Sequence, residues 1–287
     1  MNDYSSIINW YPGHMAKTKR LLQDQIKKID LIIEICDARV PLASRNPDLL
    51  KLISGKRSIL FLNKSDMSDP VLNKAWIHYL QDQGIDAHLT DAVKIRSKEA
   101  IHLIENATKE IVESAQNKGI RKTVRAMIVG IPNVGKSTLI NHIHGKSITK
   151  IGDKPGITRS NQWVKISPYL EILDTPGLLW PKLEDQDSAR KLCYIGSVND
   201  EILDLSDLTI CLLEDLCKIV PDRIKERYHI SDTDVKGVEL LDEVCRGRGW
   251  LLKGGQFDYE RCYSIVMDEY RAGKLGRITW EHPPETK

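Results

Sequence analysis

The residues Gly130-Ile-Pro-Asn-Val-Gly135-Lys136-Ser137 keep the spacing G-x-x-x-x-G-K-[ST], the pattern of a loop that cradles phosphate. An apolar run, Met127 to Val129, leads into it, and an amphipathic stretch with Leu139, Ile140 and Ile143 on one face leads out. Strand before and helix after is the context the motif needs. Gly130 and Gly135 let the backbone curl, so that N–H groups of Asn133, Val134, Gly135, Lys136, Ser137 and Thr138 point at phosphate oxygens beside the positive end of a helix. Lys136 adds a point charge for the β- and γ-phosphates, and the Ser137 hydroxyl is a ligand for Mg²⁺. This spacing predicts a nucleoside triphosphate site.

Three further groups of residues fit the same chemistry. Asn63-Lys-Ser-Asp66 follows the apolar run Ser58 to Leu62. The Asp66 carboxylate can accept two hydrogen bonds from the N1–H and 2-amine of guanine, a pair that adenine cannot offer. Asn63 is expected at the base edge, and the Lys64 stem along the purine face. A site built this way rejects the base that lacks its partners. The turn after Leu89 is expected to complete the pocket, with the Ala92 N–H as donor to the base oxygen. Downstream, the polar segment 146–161 contains Pro155-Gly-Ile-Thr158. It reads as a mobile loop that can close Thr158 on the γ-phosphate and Mg²⁺. Asp174-Thr-Pro-Gly177 then places a carboxylate for Mg²⁺ through water and a Gly177 N–H that can sense the γ-phosphate.

The elements that must position these residues alternate strand and helix. Apolar runs at Leu31–Cys36, Ser58–Leu62, Ala87–Thr90, Met127–Val129, Trp163–Ile166 and Leu170–Leu173 read as strands. Helical spacing fits Met15–Lys28, Pro47–Ser54, Val71–Gln83, Ser97–Gln116 and Lys136–His144. Beyond Trp180 the pattern is helical throughout: Ser188–Ile195, Glu201–Glu214, Ile219–Tyr228, Asp234–Arg246 and Asp258–Ala272. The expectation is an α/β domain over 1–180 followed by a small all-α domain over 181–287. Charge divides in the same way: residues 1–180 carry 26 Lys and Arg against 18 Asp and Glu, and residues 181–287 carry 16 against 22. The overall formal charge is only +2, so bulk electrostatics names no partner. Basic residues do gather at 17–28, 117–125 and 246–277, which suits phosphate-contacting faces on RNA. Six scattered cysteines with no C-x-x-C pair, no apolar run near membrane-spanning length and no apolar signal segment lead us to expect a cytoplasmic chain with reduced thiols.

The order of the motifs is unusual. In an ordinary guanine-nucleotide switch N-K-x-D comes last; here it comes first, at 63–66, ahead of the phosphate loop, Thr158 and Asp174–Gly177. Such a circular permutation can build the same sheet, because domain termini lie at the surface and close together. These residues, together with Trp10-Tyr-Pro-Gly-His-Met-Ala-Lys17, Asp37-Ala-Arg-Val-Pro41, Asp174-Thr-Pro-Gly-Leu-Leu-Trp-Pro181 and Gly273-Lys-Leu-Gly-Arg277, resemble the circularly permuted GTPases of the ribosome biogenesis GTPase A (RbgA, or YlqF) family nearly end to end.

The resemblance implies a P-loop GTPase domain with a Ras-like sheet, and a C-terminal helical domain that touches ribosomal RNA. It implies a GTPase that binds the large ribosomal subunit late in assembly and hydrolyses GTP under stimulation by the ribosome and, often in such families, by K⁺, with Mg²⁺ at the phosphates. Nothing in the sequence suggests an obligate dimer, and a monomer is expected. Asn133 matches the asparagine that holds K⁺ in related GTPases. Leu178 stands where Ras-like switches carry the water-orienting glutamine, and the resemblance puts His14 near the γ-phosphate as the replacement. Lys136, Thr158 and His14 are thus the expected catalytic residues. The missing glutamine also keeps open a second reading, a GTP-gated ribosome- or RNA-binding scaffold with negligible hydrolysis. An ATP-dependent P-loop kinase conflicts with Asn63-Lys-Ser-Asp66.

Overall fold

The structure, a computed structural model, describes residues 22–149, 161–179 and 185–285. Strands β1 (Leu31–Asp37), β2 (Ser58–Asn63), β3 (Ala87–Leu89), β4 (Val124–Val129), β5 (Gln162–Ser167) and β6 (Leu170–Asp174) form one sheet of order β3-β2-β1-β4-β6-β5. All neighbours are parallel except β5, which runs antiparallel to β6. β1 is buried along its whole length, which is what a central parallel strand covered on both faces requires. Its one acidic interior residue, Glu34, is met by Arg45 at 2.8 Å.

The chain builds outward from β1 through β2 to β3, then returns to place β4 on the other side of β1 and builds outward through β6. The reversal between β1 and β4 opens a crevice at the carboxyl ends of the strands, the usual ligand position in open α/β sheets. Asp37, Asn63, Thr90, Gly130 and Asp174 all stand at or just beyond those ends. The permuted α/β fold is thus observed.

Helices α1 (Pro47–Ile53) and α2 (Pro70–Asp82) begin alike. Asn46 and Asp69 accept the first free N–H groups, and a proline occupies the first helical position, where no donor is needed. α3 (Ser97–Gln116) buries a single stripe, Ala100, Ile104 and Thr108. α4 (Lys136–His144) starts directly from Gly135, whose φ of 100° is left-handed.

Residues Asp185–Arg277 form a separate compact unit. It contains α5 (Gln186–Tyr194), α6 (Leu205–Ile219), α7 (Pro221–Tyr228), α8 (Val238–Arg248) and α9 (Tyr259–Arg271) around Leu192, Leu213, Leu216, Ile224 and Val266. Two boundaries differ from the periodicity. The expected helix Glu201–Glu214 is broken, because Asp204 leaves the helical conformation to cap α6 through the N–H groups of Ser206 and Asp207. The expected start at Asp234 moves to Val238, behind Gly237 at φ 64°. The helical unit also ends at Arg277, and residues 278–285 belong to the sheet unit. Among the described residues no helix is long and apolar enough to cross a membrane. All six cysteines are free thiols, and all but Cys211 are buried.

Candidate nucleotide-binding site

The phosphate loop is held by close approaches that only glycine permits. A Cβ on Gly130 would lie 2.3 Å from the Ile35 carbonyl oxygen, and one on Gly135 2.3 Å from Asn63 Nδ2. Gly177 of the D-x-P-G segment presses on the same loop, since its Cβ would lie 2.6 Å from Pro132. The Leu178 N–H donates to the Gly130 carbonyl at 3.2 Å, and Asn46 Nδ2 donates to the Leu178 carbonyl at 2.6 Å. The D-x-P-G segment and the phosphate loop are therefore one packed assembly, with Leu178 buried in it.

Lys136 is 6% exposed, and its ammonium donates to the carbonyls of Gly130 at 3.2 Å and Ile131 at 2.7 Å. Burial lowers its pKa to about 8, against a smaller opposing pull from Asp174. The Ser137 hydroxyl donates to Asp174 Oδ2 at 3.0 Å. Asp174 Oδ1 is buried without a hydrogen-bond partner. Burial raises the Asp174 pKa, although Lys136 and Ser137 work against the shift. A hydroxyl and a carboxylate at hydrogen-bond distance, with one carboxylate oxygen unmet, form a hard-oxygen donor set that fits Mg²⁺.

The guanine-motif residues meet the phosphate loop across the crevice. Lys64, in the left-handed region at φ 59°, donates from Nζ to the Asn133 carbonyl at 2.8 Å. Asn133 is left-handed as well, at φ 61°. Asp66 is one-third exposed, and Lys94 Nζ lies 3.3 Å from its Oδ2.

Two residues expected in the guanine pocket bond to each other. Asn63, expected at the base edge, is buried and ties two loops together: its Nδ2 donates to the Val134 carbonyl at 2.7 Å while its Oδ1 accepts the Ala92 N–H at 2.8 Å. The Ala92 N–H, expected to face a base oxygen, is thus bonded to the Asn63 side chain in this structure. Thr158 and His14 lie outside the described residues.

The sequence alone gave Asp37 and Arg39 no role. Asp37 is fully buried, accepts the Arg39 Nε–H and Nη2–H at 2.9 and 2.7 Å, and sits 3.2 Å from Lys64 Nζ. Burial works to raise its pKa, but Arg39 and then Lys64 outweigh it and hold the carboxyl well below the usual carboxylate range. The signal for this pair was its position, directly at the end of β1 and beside the strand that delivers Asn63.

The chain is 43% identical over 284 residues to ribosome biogenesis GTPase A of Bacillus cereus, covering 97% of this chain and 95% of that one. It belongs to the ribosome biogenesis GTPase A family. As a member it carries the permuted order. The family model described as 50S ribosome-binding GTPase matches residues 125–241, which begin at β4, so the N-K-S-D of this family member precedes the matched region. Two solved structures are similar along nearly the whole chain. The GDP-bound structure of TM YlqF is 27% identical with a TM-score of 0.67, covering 93% of this chain and 100% of that one. GNP-bound YlqF from T. maritima is 27% identical with a TM-score of 0.64, covering 94% and 100%.

Proposed function

We propose that this GTPase-family chain binds the large ribosomal subunit late in its assembly and uses GTP binding and hydrolysis as a conformational switch. The observation that carries the reading is the joining of three motifs at the carboxyl ends of the strands: Lys64 bonded to the phosphate loop, Ser137 to Asp174, and Gly177 packed on Pro132. Membership of the family and the likeness to GDP- and GNP-bound YlqF support guanine nucleotide as the ligand.

In this reading the Asp66 carboxylate accepts the guanine N1–H and 2-amine, and the Lys64 stem lies along the ring. Lys136 exchanges its two carbonyl contacts for the β- and γ-phosphates, where a positive charge stabilises the transferring group. Ser137, Thr158 and, through water, Asp174 would hold Mg²⁺, whose charge would offset that developing on the phosphate oxygens. Leu178 cannot orient water, so His14 takes that role from the N-terminal segment, and Asn133 holds a K⁺ ion. The D-x-P-G segment leads through residues 178–184 into the helical unit, and by that connection the γ-phosphate state reaches the surface that contacts RNA. Lys118 and Arg121 on one unit, and Arg246, Lys253, Arg261 and Lys274 on the other, are exposed cations suited to phosphate. Leu178 in place of glutamine favours one competing reading, a GTP-gated scaffold that hydrolyses negligibly.

A turnover series separates these readings. The wild type is expected to hydrolyse GTP and not ATP, more slowly in Na⁺ than in K⁺ at constant ionic strength. His14→Ala should lose ribosome-stimulated hydrolysis while still binding GTP. No GTP turnover under any condition, with tight GTP-dependent ribosome binding retained, would establish the scaffold instead.

A further inference from the structure

Residues 278–281 follow the helical unit in the chain and are built into the sheet unit beside the guanine loop. The Ile278 N–H donates to the Met67 carbonyl at 3.0 Å, and Thr279 Oγ1 accepts the Asp69 N–H at 3.0 Å. Both contacts fall on the turn that directly follows Asp66. The Trp280 N–H donates to the Arg39 carbonyl at 2.8 Å. Glu281, 8% exposed, accepts the N–H groups of Leu42 at 2.6 Å and Ala43 at 3.1 Å through its carboxylate. Its own carbonyl accepts the Trp76 Nε1–H at 2.9 Å. A buried carboxylate met by two main-chain N–H groups is a strong, directional anchor, and leaving those N–H groups unmet is costly.

The anchored turn, residues 38–43, carries Arg39. Arg39 is locked on Asp37 by paired hydrogen bonds, and Asp37 lies against the Lys64 ammonium. The segment thus holds the guanine loop at two places: directly at Met67 and Asp69, and through Arg39 and Asp37 at Lys64. No residue of the segment belongs to the phosphate loop or the D-x-P-G loop.

We propose that Ile278–Glu281 is a positioning element for guanine recognition, with Glu281 and Thr279 as positioning residues that set where Asp66 and Lys64 stand. The proposal rests on the guanine reading above. Its consequence is that the helical unit is joined by chain to both halves of the nucleotide site: through 178–184 to the loop expected to sense the γ-phosphate, and through 278–281 to the loop expected to read the base. A partner that draws on the C-terminal connection would loosen base recognition without touching the phosphate loop.

The test compares GDP with inosine diphosphate, which lacks only the 2-amine that Asp66 reads. Affinities for both, and for ADP, are measured by calorimetry on the full chain for wild type, Glu281→Gln and Thr279→Val, with the melting temperature of each. The GDP-over-IDP preference should fall in both variants by about fivefold or more, the scale of weakening one hydrogen bond. Equal losses of GDP and IDP affinity, leaving the ratio unchanged, would overturn the proposal and leave the segment a general stabiliser. Thr279→Val replaces one hydroxyl by a methyl and carries the test if Glu281→Gln does not fold. A wild type that shows no preference for GDP over ADP would refute the guanine reading itself, and the proposal with it.

Discussion

Lys136 shows how a single residue stores a measurable prediction. Its ammonium is buried on two carbonyls, and burial brings its pKa from 10.5 to about 8. The folded chain therefore binds fewer protons than the unfolded chain between these two values. This group's contribution to stability rises with pH through that window and is unfavourable below it. Phosphate needs the ammonium form, so nucleotide binding should draw a proton from solution. Calorimetry in buffers of different ionisation enthalpy should show net uptake of about half a proton at pH 8, fading by pH 7. Zero uptake at both would mean the amine is fully charged before binding. At this scale the sequence was legible in the placement that motif spacing implies, with Lys136 and Ser137 in one loop and Asp174 at a strand end beside them. It was not legible for Asn63 and Ala92. Their hydrogen bonds depend on how the end of β2 meets the phosphate loop some seventy residues away, and no local pattern encodes that meeting.

Elements decide whether those residues act together. Gly177 lets the D-x-P-G segment lie on Pro132, and the Leu178 N–H then closes onto Gly130. Gly177→Ala would put a methyl 2.6 Å from the Pro132 backbone and force the two loops apart. Misplacement by about 1 Å can cost roughly a hundredfold in rate. GTP turnover should thus fall at least tenfold, with GDP affinity held within about threefold because the base loop and Lys136 are untouched. Equal loss of both would show that the contact supports the whole site rather than the γ-phosphate side. The strands were readable because a buried parallel sheet requires unbroken apolar runs such as that of β1. The break before α6 was not, since apolar residues continue at helical spacing through Leu203 and Leu205. Only the Asp204 cap, bonded to Ser206 and Asp207, shows that the helix restarts there.

At the scale of the whole molecule, the permuted order makes the helical unit an insertion between two parts of the GTPase unit rather than an appendix to it. The chain leaves after the D-x-P-G segment and rejoins at Ile278. Sequence composition drew its division at residue 180 from charge and from the loss of strand pattern. It missed the return, because four residues with no periodicity reveal their place only through their hydrogen bonds to Arg39, Met67 and Asp69. The uneven charge, basic over 1–180 and acidic over 181–287 with cations gathered near its end, suits a surface that meets RNA at chosen places. If such a partner governs the chemistry, GTP turnover in K⁺ buffer must respond to purified large ribosomal subunits. A rise of about tenfold or more, equivalent to about 1.4 kcal/mol of barrier, is expected. An unchanged rate, together with no GTP-dependent association with the subunit, would contradict such control by a partner.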